Sequence, residues 1–349
     1  MTGSIISTIT DKNLRGCGRN VGIIVGHLSY LDDLYAATSI ESIALFSHVV
    51  YNRTVSTEMN ETNALSNCRL AFIGCGVMAE AIIAGLLRKQ LVSAEQIVGS
   101  HPRTPRREEM HAKYGIQMFE ENKEAALAVS PAGPDAASVI VLAVKPQRLL
   151  RVLQELKGAI HQDQLVVSIV AGARMETIAE ELLHPAVVRT MPNTPAQIGE
   201  GVTAWTPSAA VNEKQEQQVR AMLDALGRTV RVDNERQIDM ATALSATGPT
   251  YIFLVMEALI DAGVHMGFSR HVAQELVHQM MLGAVLFARE SHKHPAELRN
   301  MVTSPGGTSA EAIYQMEKGS LRTVLSKAVW AAFQRAESLG ERHGKTVGS

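Results

Sequence analysis

Two stretches of this chain combine residue types and spacings suited to chemistry on a bound ligand. The first is Gly74-Cys75-Gly76-Val77-Met78-Ala79, which fits G-x-G-x-x-A. In such a turn the first glycine makes the bend and the second lets the backbone approach a pyrophosphate. The small third residue lets the helix pack closely on the strand. The motif carries weight only between a strand and a helix. Residues 70–73 form an apolar run and 77–90 read as helix, whereas Gly16-Cys17-Gly18 shares the glycine spacing but follows TDKNLR, which is no strand. The second stretch is Val302-Thr303-Ser304-Pro305-Gly306-Gly307-Thr308-Ser309. Ser304 to Gly307 read as a turn, and Thr308 with Glu311 reads as a capping box for the next helix. Approachable amides at Gly306 and Gly307 suit a carboxylate, and Thr308 and Ser309 add hydroxyls.

A third segment bears on which dinucleotide is bound. An NAD site places an acidic residue after the second strand to hold the ribose hydroxyl. Here the chain reads SHPRTPRR, with Ser100, His101, Arg103, Arg106 and Arg107. Hydroxyl and cations suit a 2′-phosphate. NADPH is therefore the expected cofactor, with NADH as a possible second.

The elements that must position these residues are legible in outline. RLAFIG (69–74), QIVGS (96–100), SVIVLAV (138–144), LVVSIVAG (165–172) and AVVRTM (186–191) are short Val/Ile-rich runs separated by helical segments. Near-continuous apolar strands alternating with helices indicate a parallel sheet covered on both faces. VTAWT (202–206) and TVRVD (229–233) read as two further strands flanking a helix at 212–227. After Asp233 the pattern is helical: 234–246, 249–267, 270–291 and two more helices to about Gly340, with a glycine-proline break at ALSATGPTY (243–251). The helix at 270–291 is apolar on most faces, so it must be buried against something large. The expected class is α/β: an N-terminal Rossmann-type doubly wound parallel sheet (67–233) followed by an all-α dimerisation and substrate domain (234–340). Residues 1–66 read as a poorly structured extension, with Met59 as an alternative start, and 341–349 as a tail.

Composition excludes several classes. A net charge of −2 over 349 residues lacks the basic stripe that nucleic-acid partners require. Cys17, Cys68 and Cys75 cannot build a disulfide framework, which fits a reducing, cytoplasmic compartment. The apolar window at 21–31 contains His27 and is too short to span a bilayer, and acids from Asp11 to Glu61 argue against a transit peptide. No membrane span, Ser-His-Asp arrangement or metal-binding spacing is expected.

Taken together, FIGCGVMAEAIIAGLL (72–87), LAVKPQ (142–147), VVSIVAGA (166–173), VVRTMPNTPAQIGEGVTA (187–204), TALSATGPTYIFLVMEALIDAGVHMG (242–267) and HPAELRNMVTSPGGTSAEAI (294–313) resemble the pyrroline-5-carboxylate reductase family. The resemblance implies hydride delivery from NAD(P)H to 1-pyrroline-5-carboxylate, giving L-proline. It implies that Ile73, Gly74, Cys75, Gly76, Val77 and Met78 cradle the phosphates. His101 would lie by the 2′-phosphate and Asn122 by the adenosine. Ala143, Val144, Lys145 and Pro146, with Ile169, Val170 and Ala171, would line the cleft, and Asn300 would touch the cofactor. Substrate would meet Val302, Ser304, Thr308 and Ser309, with Glu235 close by. The implied site forms at a dimer interface, with further assembly into rings. The chain departs from the family pattern at Val77, at Ala246-Thr247 and at Ser309, where threonine is usual. One rival, a β-hydroxyacid dehydrogenase, relies on a helical lysine, and 234–290 contain none. The other rival is a non-catalytic dinucleotide sensor.

Overall fold

A computed structural model describes residues 63–131 and 137–344, all within one compact unit, Thr62–Ser349. Most of the expected extension, the candidate start Met59 and the final residues 345–349 lie outside the described residues. The folded domain begins earlier than residue 67. Leu65 is fully buried in the core, and the Gln96 side-chain amide donates to the carbonyls of Leu65, Ser66 and Cys68.

The first unit of structure is β1 (Cys68–Ile73) followed by α1 (Val77–Arg88). Then come β2 (Ile97–Ser100), α2 (Thr104–Tyr114), β3 (Gln117–Phe119) and α3 (Asn122–Ala128). The second run is β4 (Ala137–Leu142), α4 (Leu149–Leu156), β5 (Leu165–Ser168), α5 (Met175–Leu182) and β6 (Val187–Met191). These strands take the order β3-β2-β1-β4-β5-β6, all parallel. That is the doubly wound dinucleotide order, and it reverses at β1/β4, where ligands sit beyond the strands' carboxyl ends.

β7 (Gly201–Pro207), α6 (Glu213–Asp224) and β8 (Gly227–Arg231) extend the sheet, and here the structure departs from the purely parallel expectation. β7 runs antiparallel to β6, and β8 runs parallel to β7. The short connection from β6 to β7 allows a return stroke but no crossover helix. The residues of 104–107 open α2, with Pro105 in its first turn where no amide hydrogen is needed.

Alternation along β1 builds two cores. Leu70 and Phe72 pack with Ile82, Ile83 and Leu86 of α1 and with Val219, Met222 and Leu223 of α6. Ala71 and Ile73 face the other side, against Ala125 and Ala126 of α3 and Leu149, Leu153 and Leu156 of α4. A parallel sheet buried on both faces requires such strands.

The helical part comprises α7 (Glu235–Ala241), α8 (Gly248–His265), α9 (Arg270–Ser291), α10 (Pro295–Met301), α11 (Thr308–Lys318) and α12 (Leu321–Gly344). Three helices follow α9, not two. The glycine-proline break does not end a helix: Thr242–Ala246 form a π-helical turn, so helical backbone continues from Glu235 to His265. By length and composition alone this helix could cross a membrane, whereas the sequence reading expected no span. α8 and α9 meet closely at Gly263 and Ala273. Their remaining apolar surface, including Phe253, Leu254, Leu276, Leu282, Val285 and Phe287, is exposed in the single chain. The expected burial of α9 is therefore not met among the described residues, which leaves a large apolar face of the kind that marks an interaction site.

Candidate functional site

Sheet register gathers the residues implied for cofactor binding. Ser100, Ile73, Leu142 and Ser168 pair in one row across β2, β1, β4 and β5. The glycine turn, the 143–146 segment and the 169–171 segment all leave that row at the carboxyl edge. The Ala143 amide donates to the Ile73 carbonyl at 2.9 Å, and the Ile169 amide to the Leu142 carbonyl at 3.1 Å, which carries the row outward.

The turn has the features a phosphate cradle needs. Gly74 has φ +89°, and a Cβ there would lie 2.7 Å from Val144 Cγ1 and 3.1 Å from the Ala143 carbonyl oxygen, so only glycine fits. Gly76 is the N-cap of α1, and a Cβ there would meet nothing within 4 Å. The backbone is thus bare toward solvent at a helix N-terminus, where the orphan amides and the helix dipole favour anions. These residues fit a dinucleotide pyrophosphate. Val77 is exposed at the helix start, while Cys75 faces inward and is fully buried. Burial pushes the Cys75 thiol up to about 12, against the pull of the Arg106 charge.

The residues after β2 divide into three roles that the sequence did not separate. The hydroxyl of Ser100, expected at the phosphate, lies beneath the turn, fully buried. It accepts from the Gly74 amide at 3.3 Å and donates to Asn122 Oδ1 at 2.8 Å. Arg106 and Arg107 are engaged inside the chain. Arg106 donates to the Cys75 carbonyl and pairs with Glu80 and Glu109. Arg107 binds the His101 carbonyl, Thr104 and Glu120. That leaves His101 and Arg103 as the members of this set not spent on side-chain pairs among the described residues. Arg103 is exposed, and its guanidinium has no partner among the described residues. The His101 Nδ1 accepts the Arg103 amide at 3.2 Å, which leaves its other ring nitrogen to donate. Partial burial lowers the His101 pKa, and the charges of Arg103, Arg106 and Arg107 add to that.

Glu80 anchors this corner. Desolvation works to raise its pKa, but hydrogen bonds from Lys113, Arg106 and Tyr114 overcome it and hold the carboxyl down to about 2. Neither Glu80 nor its link to the turn belongs to a motif, so the sequence pointed to neither.

The 299–309 segment has the geometry of an anion site. Ser304 to Gly307 form a type II turn, with the Gly307 amide donating to the Ser304 carbonyl at 3.0 Å and Gly306 at φ +70°. Gly307, not Thr308, is the N-cap of α11, so the expected capping box does not form. The Thr308 and Ser309 hydroxyls are free of partners among the described residues. Val302 is exposed and Asn300 lies on the exposed face of α10, its side-chain oxygen accepting from Arg299. Among the described residues no hydrogen bond or ion pair ties 299–309 to the sheet domain of the same chain.

Glu235, expected near substrate, is engaged within the chain. Its carboxylate accepts from the Met175 amide at 2.9 Å and from Arg189 at 3.2 Å. Arg189 is fully buried on β6 and also pairs with Asp239 of α7, which Arg174 approaches at 3.2 Å. This network joins α7 to the strand and loop that carry the cleft wall. The MPNTPA stretch has a matching role: the Asn193 amide donates to the Ser245 carbonyl in the π-turn and its oxygen accepts the Val202 amide.

Comparisons with known proteins agree with this division. Residues 235–339 match the family described as pyrroline-5-carboxylate reductase dimerisation. Residues 69–172 match NADP oxidoreductase coenzyme F420-dependent. A pyrroline-5-carboxylate reductase of Pseudomonas aeruginosa is 40% identical over 80% of this chain and 100% of its own. One of Synechocystis sp. is 38% identical over 78% and 99%. The crystal structure of Plasmodium falciparum pyrroline carboxylate reductase with NADP bound superposes with a TM-score of 0.70 at 30% identity, covering 79% of this chain and 99% of that one. With a doubly wound nucleotide domain, a dimerisation domain and this similarity along both, the chain belongs to the pyrroline-5-carboxylate reductase family of NAD(P)-dependent oxidoreductases.

Proposed function

We propose that the chain reduces 1-pyrroline-5-carboxylate to L-proline, with NADPH preferred over NADH, in a homodimer that can assemble into larger rings. The observation that carries the substrate reading is the set of amides at Gly306, Thr308 and Ser309, which donate to nothing among the described residues, beside two hydroxyls that cap nothing. The substrate carboxylate accepts from those amides. Val302 offers apolar contact to the ring, and Ser304 closes the turn beneath it. The Ser309 or Thr308 hydroxyl hydrogen-bonds the imine nitrogen. Its high pKa suits it to orient or relay a proton rather than to supply one, and such a positioned group contributes about 10²–10⁴-fold. Bound at the 73–78 turn, a reduced nicotinamide supplies hydride to the carbon of the C=N bond. We assign Glu235 to holding the cleft wall through Arg189 rather than to the substrate.

The second subunit enters because 299–309 has no tie to its own nucleotide domain and the faces of α8 and α9 are uncovered. A neighbour's helices supply both the missing cover and the facing substrate segment. Cys68 and Cys75 are buried free thiols, in keeping with a cytoplasmic location.

The test is NADPH oxidation by the purified chain with 1-pyrroline-5-carboxylate, followed by absorbance and by proline formation. Turnover faster with NADPH than with NADH is expected. No turnover with either nicotinamide would leave only a non-catalytic dinucleotide-binding protein.

A further inference from the structure

Beneath the glycine turn, a chain of hydrogen bonds runs out to α4. The Gly74 amide donates to Ser100 Oγ at 3.3 Å, and Ser100 Oγ donates to Asn122 Oδ1 at 2.8 Å. Asn122 Nδ2 donates to Glu155 Oε2 at 2.7 Å, and Arg151 Nε donates to Glu155 Oε1 at 2.9 Å. The Ser100 carbonyl also accepts the next amide of the turn, from Cys75, at 3.0 Å. Each link has only one polarity open to it. A carboxylate only accepts, so Asn122 must turn its NH₂ toward Glu155 and its oxygen toward Ser100. Ser100 has one proton, which must then go to Asn122, leaving its lone pair to receive Gly74. Asn122 is the first residue of α3, so its backbone is fixed and the only choice left is which way the amide faces.

We propose that Glu155 is a positioning residue for dinucleotide binding, setting the direction of the Asn122 amide and, through Ser100, the pose of the Gly74–Cys75 backbone. The proposal rests on the reading of residues 73–78 as the cofactor turn. Glu155 lies on the helix that follows β4, far in sequence from the turn, and touches no expected ligand atom. In Glu155→Gln the side-chain oxygen is drawn to Arg151, which only donates, and the NH₂ then faces Asn122. Asn122 must flip to accept it, and it presents a donor to Ser100. The Ser100 proton loses its acceptor in a fully buried position, and the turn loses its fixed support.

The experiment compares wild type, Glu155→Gln, Ser100→Ala and the double variant. NADPH and NADH dissociation constants come from nucleotide fluorescence, KM for each substrate from steady-state rates, and Tm from thermal unfolding. Glu155→Gln is expected to weaken both dinucleotides by roughly five- to tenfold. The imino-acid KM, kcat at saturating cofactor and Tm should stay near wild type. In the Ser100→Ala background the same change should add no further loss, since the relay is already cut. Unaltered dinucleotide affinity in Glu155→Gln, additive losses in the double variant, or a loss that tracks Tm would each overturn the role of Glu155. Wild type binding neither dinucleotide would instead overturn the reading of the turn itself.

Discussion

Arg106 Nε donates to the carbonyl of Cys75 at 3.0 Å, so a helix after β2 grips the loop after β1. The same guanidinium pairs with Glu80 on α1, so one side chain of α2 ties together the turn and the helix that follows it. Glu80 also takes Lys113 and Tyr114. The glycine turn is therefore braced by ionised groups as well as by packing.

This bracing makes stability pH-dependent in a defined window. The Glu80 carboxyl is held at about 2 in the folded chain against an ordinary value of 4.5. Because the folded-state value is the lower one, its stabilisation is complete above about 4.5 and is lost as pH falls toward about 2. Urea midpoints for wild type should decline across that interval, and Glu80→Gln should decline less steeply there while being less stable at pH 7.

The two glycines of the turn should respond oppositely to alanine. Gly74→Ala puts a Cβ into Val144 and the Ala143 carbonyl at positive φ, and is expected to destabilise the chain by roughly 2–4 kcal/mol in urea unfolding. Gly76→Ala meets open space and should change stability by less than about 0.5 kcal/mol. Its methyl instead stands where a pyrophosphate would lie. Dinucleotide KM should rise while the imino-acid KM holds.

Arg103 should carry the choice between dinucleotides, because Arg106 and Arg107 are engaged within the chain. Arg103→Ala is expected to raise the NADPH KM roughly tenfold, the scale of one lost charge-assisted phosphate contact, and to leave the NADH KM unchanged. Side-by-side kinetics with both nicotinamides check this, and Arg106→Ala should instead weaken both.

The hydroxyls at the head of α11 separate capping from chemistry. Since Gly307 is the N-cap, Ser309→Ala should leave thermal stability near wild type. Turnover should fall by about 10²-fold, at the lower end of what a positioned proton-handling group contributes. NADPH affinity should persist. Unchanged turnover would remove Ser309 from the reaction.

The nucleotide-binding half was legible because its buried strands are continuous Val/Ile runs and its turn needs glycine at fixed places. What escaped has physical reasons. β3 is three residues, too short to carry a period. Strand direction leaves no mark on hydrophobicity, so the antiparallel β7 was invisible. α2 buries only Met110 and is otherwise rich in charge, which reads as loop. In the site, the glycine positions were readable, but the uses of Ser100, Arg106 and Glu235 were not. Residue type announces a hydroxyl or a charge, whereas only the fold decides which neighbour takes it. Thr308 missed the cap by a single residue because Gly307 itself adopts the extended geometry that starts the helix.

The sulfur of Cys75, sealed under the cradle and held protonated, gives the molecule a built-in clock. A maleimide can reach it only during moments when the loop lifts from the sheet, so its labelling rate counts those excursions. Any molecule that seats on the loop and holds it down will slow the count, whether or not turnover follows.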